Sequence, residues 1–555
     1  GFYEKSTIFA PVMHFTLKRY TTHYRALVSL GVPIVVGQIG NVVLGFADTL
    51  MIGHHSMMEL AAASFVTTMF TLIVIFAMGF SYGLTPIVGA MFGRGEKEEI
   101  GGILRNSLAA NGLMAVILLA VSVVFYLNLH RMGQPIELLP YMRSYLLVNI
   151  VSLPFLCMFN AFKQFYDGIT DTRVPMFVIL GGNVLNIFGN YVLIYGAFGM
   201  PELGLLGAGI STMVSRIVMF VAFVAVFVFH RSYPPRRRGY AAGRLNRADF
   251  RRVNTLGWPV AMQLGMECAA FSLSAIFVGW IGITALAAHQ VTLTASQLLY
   301  MVNSGMAAAI AVRVSYFHGQ GDTAAVRDAA YAGFHVIMLI AFVLSVPVFL
   351  LRNTFSYWFT DSAEVCVLVS QTVIPLIVYQ FGDGLQYTFA NALRGISCVR
   401  PLIWIAFFSY FVVSLPLGWF LGIHSGWGLV GVWSAFPVCL LAQAYFIGSA
   451  SFDASDGLKM APAAILHAVC PAALRFCGDK SIKNDINIKG RHACVGVSPF
   501  DVLWCFGISM LLVRACLLQI LPPVYVQCYF FVPHIIVSIS LYRSSVCLSV
   551  VIVVF

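Results

Sequence analysis

From Leu30 onward the sequence returns again and again to apolar runs of about 20 residues, each long enough as a helix to cross ~30 Å of hydrocarbon. Such runs leave few folds open. The interior of a bilayer offers no water to backbone N–H and C=O groups, so a crossing segment is either a helix or a strand of a closed barrel. The short alternating segments of a barrel are absent here. With 59% hydrophobic and only 10% charged residues, and a mean hydropathy of +0.86, a chain of 555 residues has more apolar surface than a water-soluble core could hide. The expected fold class is an all-α membrane protein.

Counting the runs gives twelve spans, near residues 29–53, 60–83, 107–127, 142–165, 176–198, 205–230, 256–281, 284–312, 331–352, 366–392, 400–422 and 427–449. They fall into two sets of six, separated by the arginine-rich stretch RSYPPRRRGYAAGRLNRADFRR. Sliding the second set over the first by 226 residues, without a gap, sets Pro33 on Pro259, Gly53 on Gly279, Leu60 on Leu286, Gly79 on Gly305, Gly93 on Gly319 and Gly95 on Gly321. Later in each half, Gly168 and Arg173 match Gly395 and Arg400 at a shift of 227, Pro175 matches Pro401 at 226, and Gly204 and Gly207 match Gly428 and Gly431 at 224. Helix breakers in register over such a length mark an internal duplication. Six spans per copy give both copies the same orientation, so a pseudo-two-fold axis runs along the membrane normal and a cleft opens between the copies.

The predicted organisation is a cytoplasmic N-terminal leader (1–28), an N-lobe (29–230), a basic cytoplasmic linker (231–255), a C-lobe (256–450) and an atypical C-terminal extension (451–555). A net charge of +11 raises the question of nucleic acid, but the densest basic cluster lies in the linker between apolar spans, where Lys and Arg fix topology by staying on the cytoplasmic side. Lys18, Arg19 and Arg25 before the first span, and Arg94, Lys97, Arg105, Arg173, Arg327, Arg394 and Arg400 in alternate loops, place the N-terminus in the cytoplasm; Arg131, Arg143 and Arg352 are the exceptions. No nucleic-acid partner is expected. The chain starts at Gly1, and Met13 opens a short basic leader, so residues 1–12 read as an upstream extension. Seven of the twelve cysteines fall between Cys470 and Cys547, none at metal-ligand or redox spacing. The extension has no counterpart in the repeat, and one or two further spans are expected between residues 500 and 555.

A charge inside a membrane costs several kcal/mol by the lower estimates, so each intramembrane carboxylate is a functional candidate. Three stand out: Asp48 in GFADTLMIG, Glu267 in VAMQLGMECAAF and Asp383 in VYQFGDGLQYTFANALRG. Each either pairs with a buried partner or binds a proton or a dehydrated Na⁺. Asn183, Asn186 and Asn190 lie in the fifth span, Asn186 and Asn190 on one helical face; their amides either complete an ion shell with Asp48 or bond between helices. Thr212 in the sixth span is a weaker candidate of the same sort. His289 and Gln290 open the eighth span, where a lone histidine more often bonds between helices than carries protons. Tyr300, Met301, Tyr379 and Phe381, with Phe70 and Met78, either line an adaptable surface for flat organic ligands or simply pack. GLLGAG (204–209) follows no strand and reads as close helix packing rather than a phosphate loop. There is no GxxxxGK[ST] loop and no HExxH helix, so neither ATP-driven pumping nor zinc proteolysis is expected, and no enzyme activity or cofactor.

From Leu30 to Ala450 the chain resembles the multidrug and toxic compound extrusion (MATE) transporters, in particular their bacterial NorM-like branch. The resemblance rests on GFADTLMIG with ELAAAS, FNAFKQFYDGITDTRVP, LNIFGNYVLIYGAFGMPELGLLGAGIST, Glu267 with ALAAHQV, and DGLQYTFANALRGISCVRP. It implies a V-shaped pair of six-helix lobes in a bacterial inner membrane and antiport of small drugs or dyes, mostly organic cations, against Na⁺ or H⁺. By motif position it implies a cation site at Glu267 and Asp383, where Na⁺ would bind, and a second at Asp48, Asn186, Asn190 and Thr212. Where some relatives carry an aspartate in the fifth span, this chain has Asn190. The expected partners are small-molecule drugs or dyes and membrane lipid, and the expected assembly is a monomer. A lipid-linked oligosaccharide flippase would need a strongly basic cleft, whereas the deep ionisable residues read as mainly acidic. A non-transport integral membrane protein is the other alternative.

Overall fold

The computed structural model describes residues 6–452 together with 526–532, 535–541 and 549–554. The first half is built from α1 (Ser6–His55), α2 (Met57–Tyr82), α3 (Leu84–Gly93), α4 (Glu99–Asn128), α5 (Leu139–Gly168), α6 (Arg173–Ile194) and α7 (Leu205–Phe229). A short helix, α8 (Pro234–Ala242), precedes the second half: α9 (Arg247–Ile281), α10 (Ile283–Gln320), α11 (Thr323–Leu350), α12 (Ala363–Gly395), α13 (Arg400–Phe407), α14 (Leu415–Trp419) and α15 (Gly428–Phe452). Eleven spans are long and apolar enough to cross a bilayer among the described residues, and α15 supplies a shorter apolar twelfth. Outward faces carry exposed Phe46, Phe177, Val184 and Leu339, which suits lipid and not water.

Proline explains where the helices depart from regularity. Pro86 lacks an N–H and its ring crowds the carbonyl four residues back, at Tyr82, which is where α2 gives way to α3. The repeat sets Val312 at that place in the second half, and α10 runs unbroken from Ile283 to Gln320. Pro416 acts likewise in the eleventh span, where π-helical turns at Phe408–Ser414 and Phe420–His424 flank α14. The α10 terminus is closed by Gly321 at φ 75°, and Asp322 then caps α11 by accepting from the Ala325 N–H at 2.9 Å.

Within the halves α5 packs on α7, α6 on α7, α10 on α12 and α12 on α15. Across them α1 packs on α10, α2 on α9 and α3 on α10, the pairing expected of two copies related by a two-fold. The first-half core stacks Tyr166 on Phe223 at 5.3 Å, with Phe162 and Phe227 beside them. The second-half core gathers Tyr379, Tyr410, Trp433 and Phe436.

Secondary structure runs across the boundaries drawn from the sequence. Residues 6–28 already belong to α1. The linker is likewise partly helical, since it contains α8 and the first turns of α9. Of the C-terminal stretch 500–555, where further spans are expected, residues 500–525 lie outside the described residues, and the described ones form an antiparallel sheet: β1 (Val526–Val532), β2 (Ile535–Leu541) and β3 (Ser549–Val554), in the order β1-β2-β3. IIVSISL and SVVIVV are rich in β-branched residues, which favour strands. This sheet belongs to a separate compact unit, Leu503–Phe555. The polar stretch 478–493 lies outside the described residues.

Candidate cation site

The second half brings together the two carboxylates picked out from the sequence. Glu267, from the middle of α9, and Asp383, from α12, are both buried and within electrostatic reach of each other. Tyr387 lies one turn after Asp383 on the same face of α12. Its hydroxyl donates to both Glu267 oxygens, at 3.4 and 3.5 Å, and the Tyr300 hydroxyl stands 2.6 Å from that of Tyr387. With Tyr387 donating to the carboxylate, Tyr300 donates to Tyr387, which forms a chain from α10 through α12 to α9.

Arg394, also on α12, is close enough to act on the Glu267 charge, yet its guanidinium donates elsewhere: to Gln263 Oε1 at 3.0 Å and to Asn391 Oδ1 at 3.4 Å. Glu267 is therefore influenced by a cation without being tied to it. Asp383 is less satisfied still. Asn303 and Tyr379 act on its carboxylate, but these contacts fall short of full hydrogen-bond geometry, and both amide atoms of Gln380 lack a partner. Buried polar atoms are nearly always paired, and a cluster of unpaired ones marks a place where a small polar guest belongs. The donors are carboxylate, amide and hydroxyl oxygens, which fit a hard cation such as Na⁺, and the carboxylates equally fit a proton.

In the first half, Asn190 Nδ2 donates to Asp48 Oδ1 at 2.5 Å, linking α6 to α1. One turn away Asn186 donates to Thr212 Oγ1 at 3.2 Å, and Ser211 donates to the Asn186 carbonyl. Asn183 donates to Asn41 at 3.4 Å. The amides thus bond between helices, while the side-chain oxygens of Asn186 and Asn190 have no partner. Asp48 is only half-buried and lies within reach of the Arg216 charge from α7.

The deep charge is more balanced than the sequence reading held. Lys163 and Arg394 are buried too, and Arg216 is half-buried. Lys163 pairs with Asp167 at 2.9 Å, and Arg216 donates to Ser152 at 2.5 Å and lies over the Phe70 ring. Tyr387 and Asn303 were also missed, and Arg394, expected in a loop, is instead buried in the last turn of α12. Arg216 could have been found as the sole charge inside the apolar run of α7, and Arg394 as the residue that the 227-residue shift sets on Asp167.

The weaker cleft candidates divide. Tyr300 joins the Glu267 chain, while Tyr379 packs edge-on against Phe271, Trp433 and Phe436 and Phe381 lies against the same core. His289 is buried and accepts from the Trp433 Nε1–H at 3.0 Å, a bond between α10 and α15. Gln290 is exposed on α10, and Met301 is half-buried.

Two halves of apolar spans in register are the architecture of a polytopic membrane protein. A sequence model of the MatE family matches residues 33–192 and again residues 259–420, so the second match begins 226 residues after the first, at the repeat shift. The chain belongs to the MatE family. Among solved structures it is similar to the eukaryotic MATE transporter AtDTX14 (19% identity, 78% of this chain and 95% of that one, TM-score 0.70). It is similar also to a MOP superfamily transporter from Pyrococcus furiosus with reverse polarity of its binding pocket (18% identity, 77% and 94%, TM-score 0.68). A MATE solved in complex with MaD3S matches at 18% identity, covering 76% and 94%, with a TM-score of 0.69. These likenesses are likenesses of fold, and their near-equal identities do not single out a branch of the family.

Proposed function

We propose that the protein is a cation-coupled antiporter that exports organic cations and other small drugs across a bacterial inner membrane, with its N-terminus in the cytoplasm. The observation that carries this reading is the Glu267–Asp383 pair, buried among orphaned polar atoms and bonded to tyrosine instead of being locked to Arg394. In this account Na⁺ or H⁺ neutralises the pair in one state of the transporter. A drug entering between the halves favours the ion-free state, and linkage requires ion and drug to weaken each other's binding equally. Asp48, Asn186, Asn190 and Thr212 form the corresponding polar site of the first half, where Arg216 supplies a resident positive charge.

The buried cations do not favour a flippase for lipid-linked sugars. Lys163 is paired with Asp167, and Arg394 is engaged by Gln263 and Asn391, so neither stands as a free phosphate ligand. The test is uptake of a fluorescent organic cation into proteoliposomes under a Na⁺ gradient alone and under a proton gradient alone. Uptake driven by one of the two is expected, and uptake indifferent to both contradicts the proposal.

A further inference from the structure

The linker between the halves is folded, and its inner face is held. Tyr233 donates its hydroxyl to the Asp171 carboxylate. Arg236 is buried over the rings of Tyr233 and Phe92, at 5.2 and 5.6 Å. Arg105 of α4 donates to the Gly243 carbonyl at 2.6 Å and lies over the Tyr240 ring. Burial and the Asp171 carboxylate push the Tyr233 phenol up, and burial lowers Arg236, as befits groups fixed for structure. Glycine lets the backbones meet: a Cβ on Gly101 would stand 2.5 Å from the Tyr240 nitrogen.

What faces outward is cationic. Arg231, Arg238, Arg244, Arg247 and Arg251 are exposed. Glu98 offsets only Arg238, at 3.3 Å between two largely exposed side chains, and Asp249 accepts from Asn246. Phe229 and Leu245, sequence neighbours of these arginines, are 80% and 66% exposed. The band lies between the end of one membrane span and the start of the next. Large apolar side chains beside guanidinium groups at a span boundary match the bilayer interface, where apolar groups enter the acyl region and cations meet phosphate.

We propose that this band docks on the headgroups of anionic phospholipids in the leaflet at that end of the helices. Each planar guanidinium presents paired donors to phosphate oxygens, and the apolar neighbours fix the depth of contact. The surface shares no residue with the Glu267–Asp383 pair, so lipid binding here stands or falls independently of ion coupling.

The test uses the full chain, labelled on the linker, in vesicles of phosphatidylcholine with a minor fraction of fluorescent phosphatidylglycerol. Energy transfer should report enrichment of the anionic lipid beside the linker, weakening as salt is raised. Replacing Arg231, Arg238, Arg244 and Arg247 by Gln should lower that enrichment roughly tenfold or more, whereas the four Lys replacements should retain most of it. An unchanged Gln variant, or a parent with no salt-sensitive preference, overturns the proposal. Should the Gln variant insert inverted, the Lys variant and the salt series in the parent still decide it. Binding of short duplex DNA as tightly as anionic vesicles also overturns it.

Discussion

Gly79 lies against the backbone of Ala261: a Cβ built on the glycine would stand 2.8 Å from the Ala261 Cα. The 226-residue shift turns Gly79 into Gly305 and Ala261 into Val35, and a Cβ on Gly305 would stand 3.0 Å from the Val35 Cα. The same reciprocity joins Gly93 to Tyr316 and Gly319 to Ala90, where the added Cβ would stand 3.0 and 2.7 Å from the facing carbonyl carbons. Each of these repeated glycines therefore packs on the opposite half, so the seam between the halves is two-fold symmetric. Backbone cannot yield as a flexible side chain can. Gly79→Val and Gly305→Val should each destabilise this packed arrangement by about 1–3 kcal/mol. Melting temperature and the efficiency of cysteine cross-linking across the seam should both fall.

Tyr387→Phe keeps the ring and removes the hydroxyl that joins Tyr300 to Glu267. At 3.4 and 3.5 Å these contacts are long, and their loss is worth about 1 kcal/mol. Because that hydroxyl donates to the charged carboxylate and so competes with the coupling ion, the half-saturating ion concentration should fall severalfold, with the protein still folded, as read by transport against ion concentration.

Asn190→Ala removes the amide that donates to Asp48. Stability should fall by about 1–3 kcal/mol, because a polar group is left without its partner. Asn190→Asp instead sets a second carboxylate against the first. Two such groups cannot both stay charged without a cation between them. That variant should show a stronger ion dependence of its thermal stability than the parent.

His289→Phe breaks the bond from Trp433 between α10 and α15. A loss of about 1 kcal/mol in stability is expected, with the ion dependence of transport unchanged. A change in that dependence would return His289 to the ion pathway.

The duplication was legible in part because close approach of the halves demands glycine at Gly79, Gly93, Gly305 and Gly319, while Gly95 and Gly321 repeat because each takes a positive φ. The carboxylates were legible because charge is rare in apolar runs. What surrounds them was not. Glu267 meets Tyr387 across 120 residues, Arg394 meets Gln263 across 131, and His289 meets Trp433 across 144. Helical periodicity says which way a side chain points but not which helix stands opposite. The same gap hid the cations that balance the deep acids. At the C-terminal end, Val and Ile in short runs favour the strands of the described residues.

The most direct measurement compares the parent with Glu267→Gln and Asp383→Asn in proteoliposomes, at equal protein incorporation, under an imposed gradient of the ion that drives the parent. Both variants should bind a fluorescent organic cation yet lose at least roughly tenfold of the gradient-driven flux, since the neutral side chain no longer exchanges charge. Variants that transport as fast as the parent, with the same dependence on the ion, would contradict the role given to the buried pair.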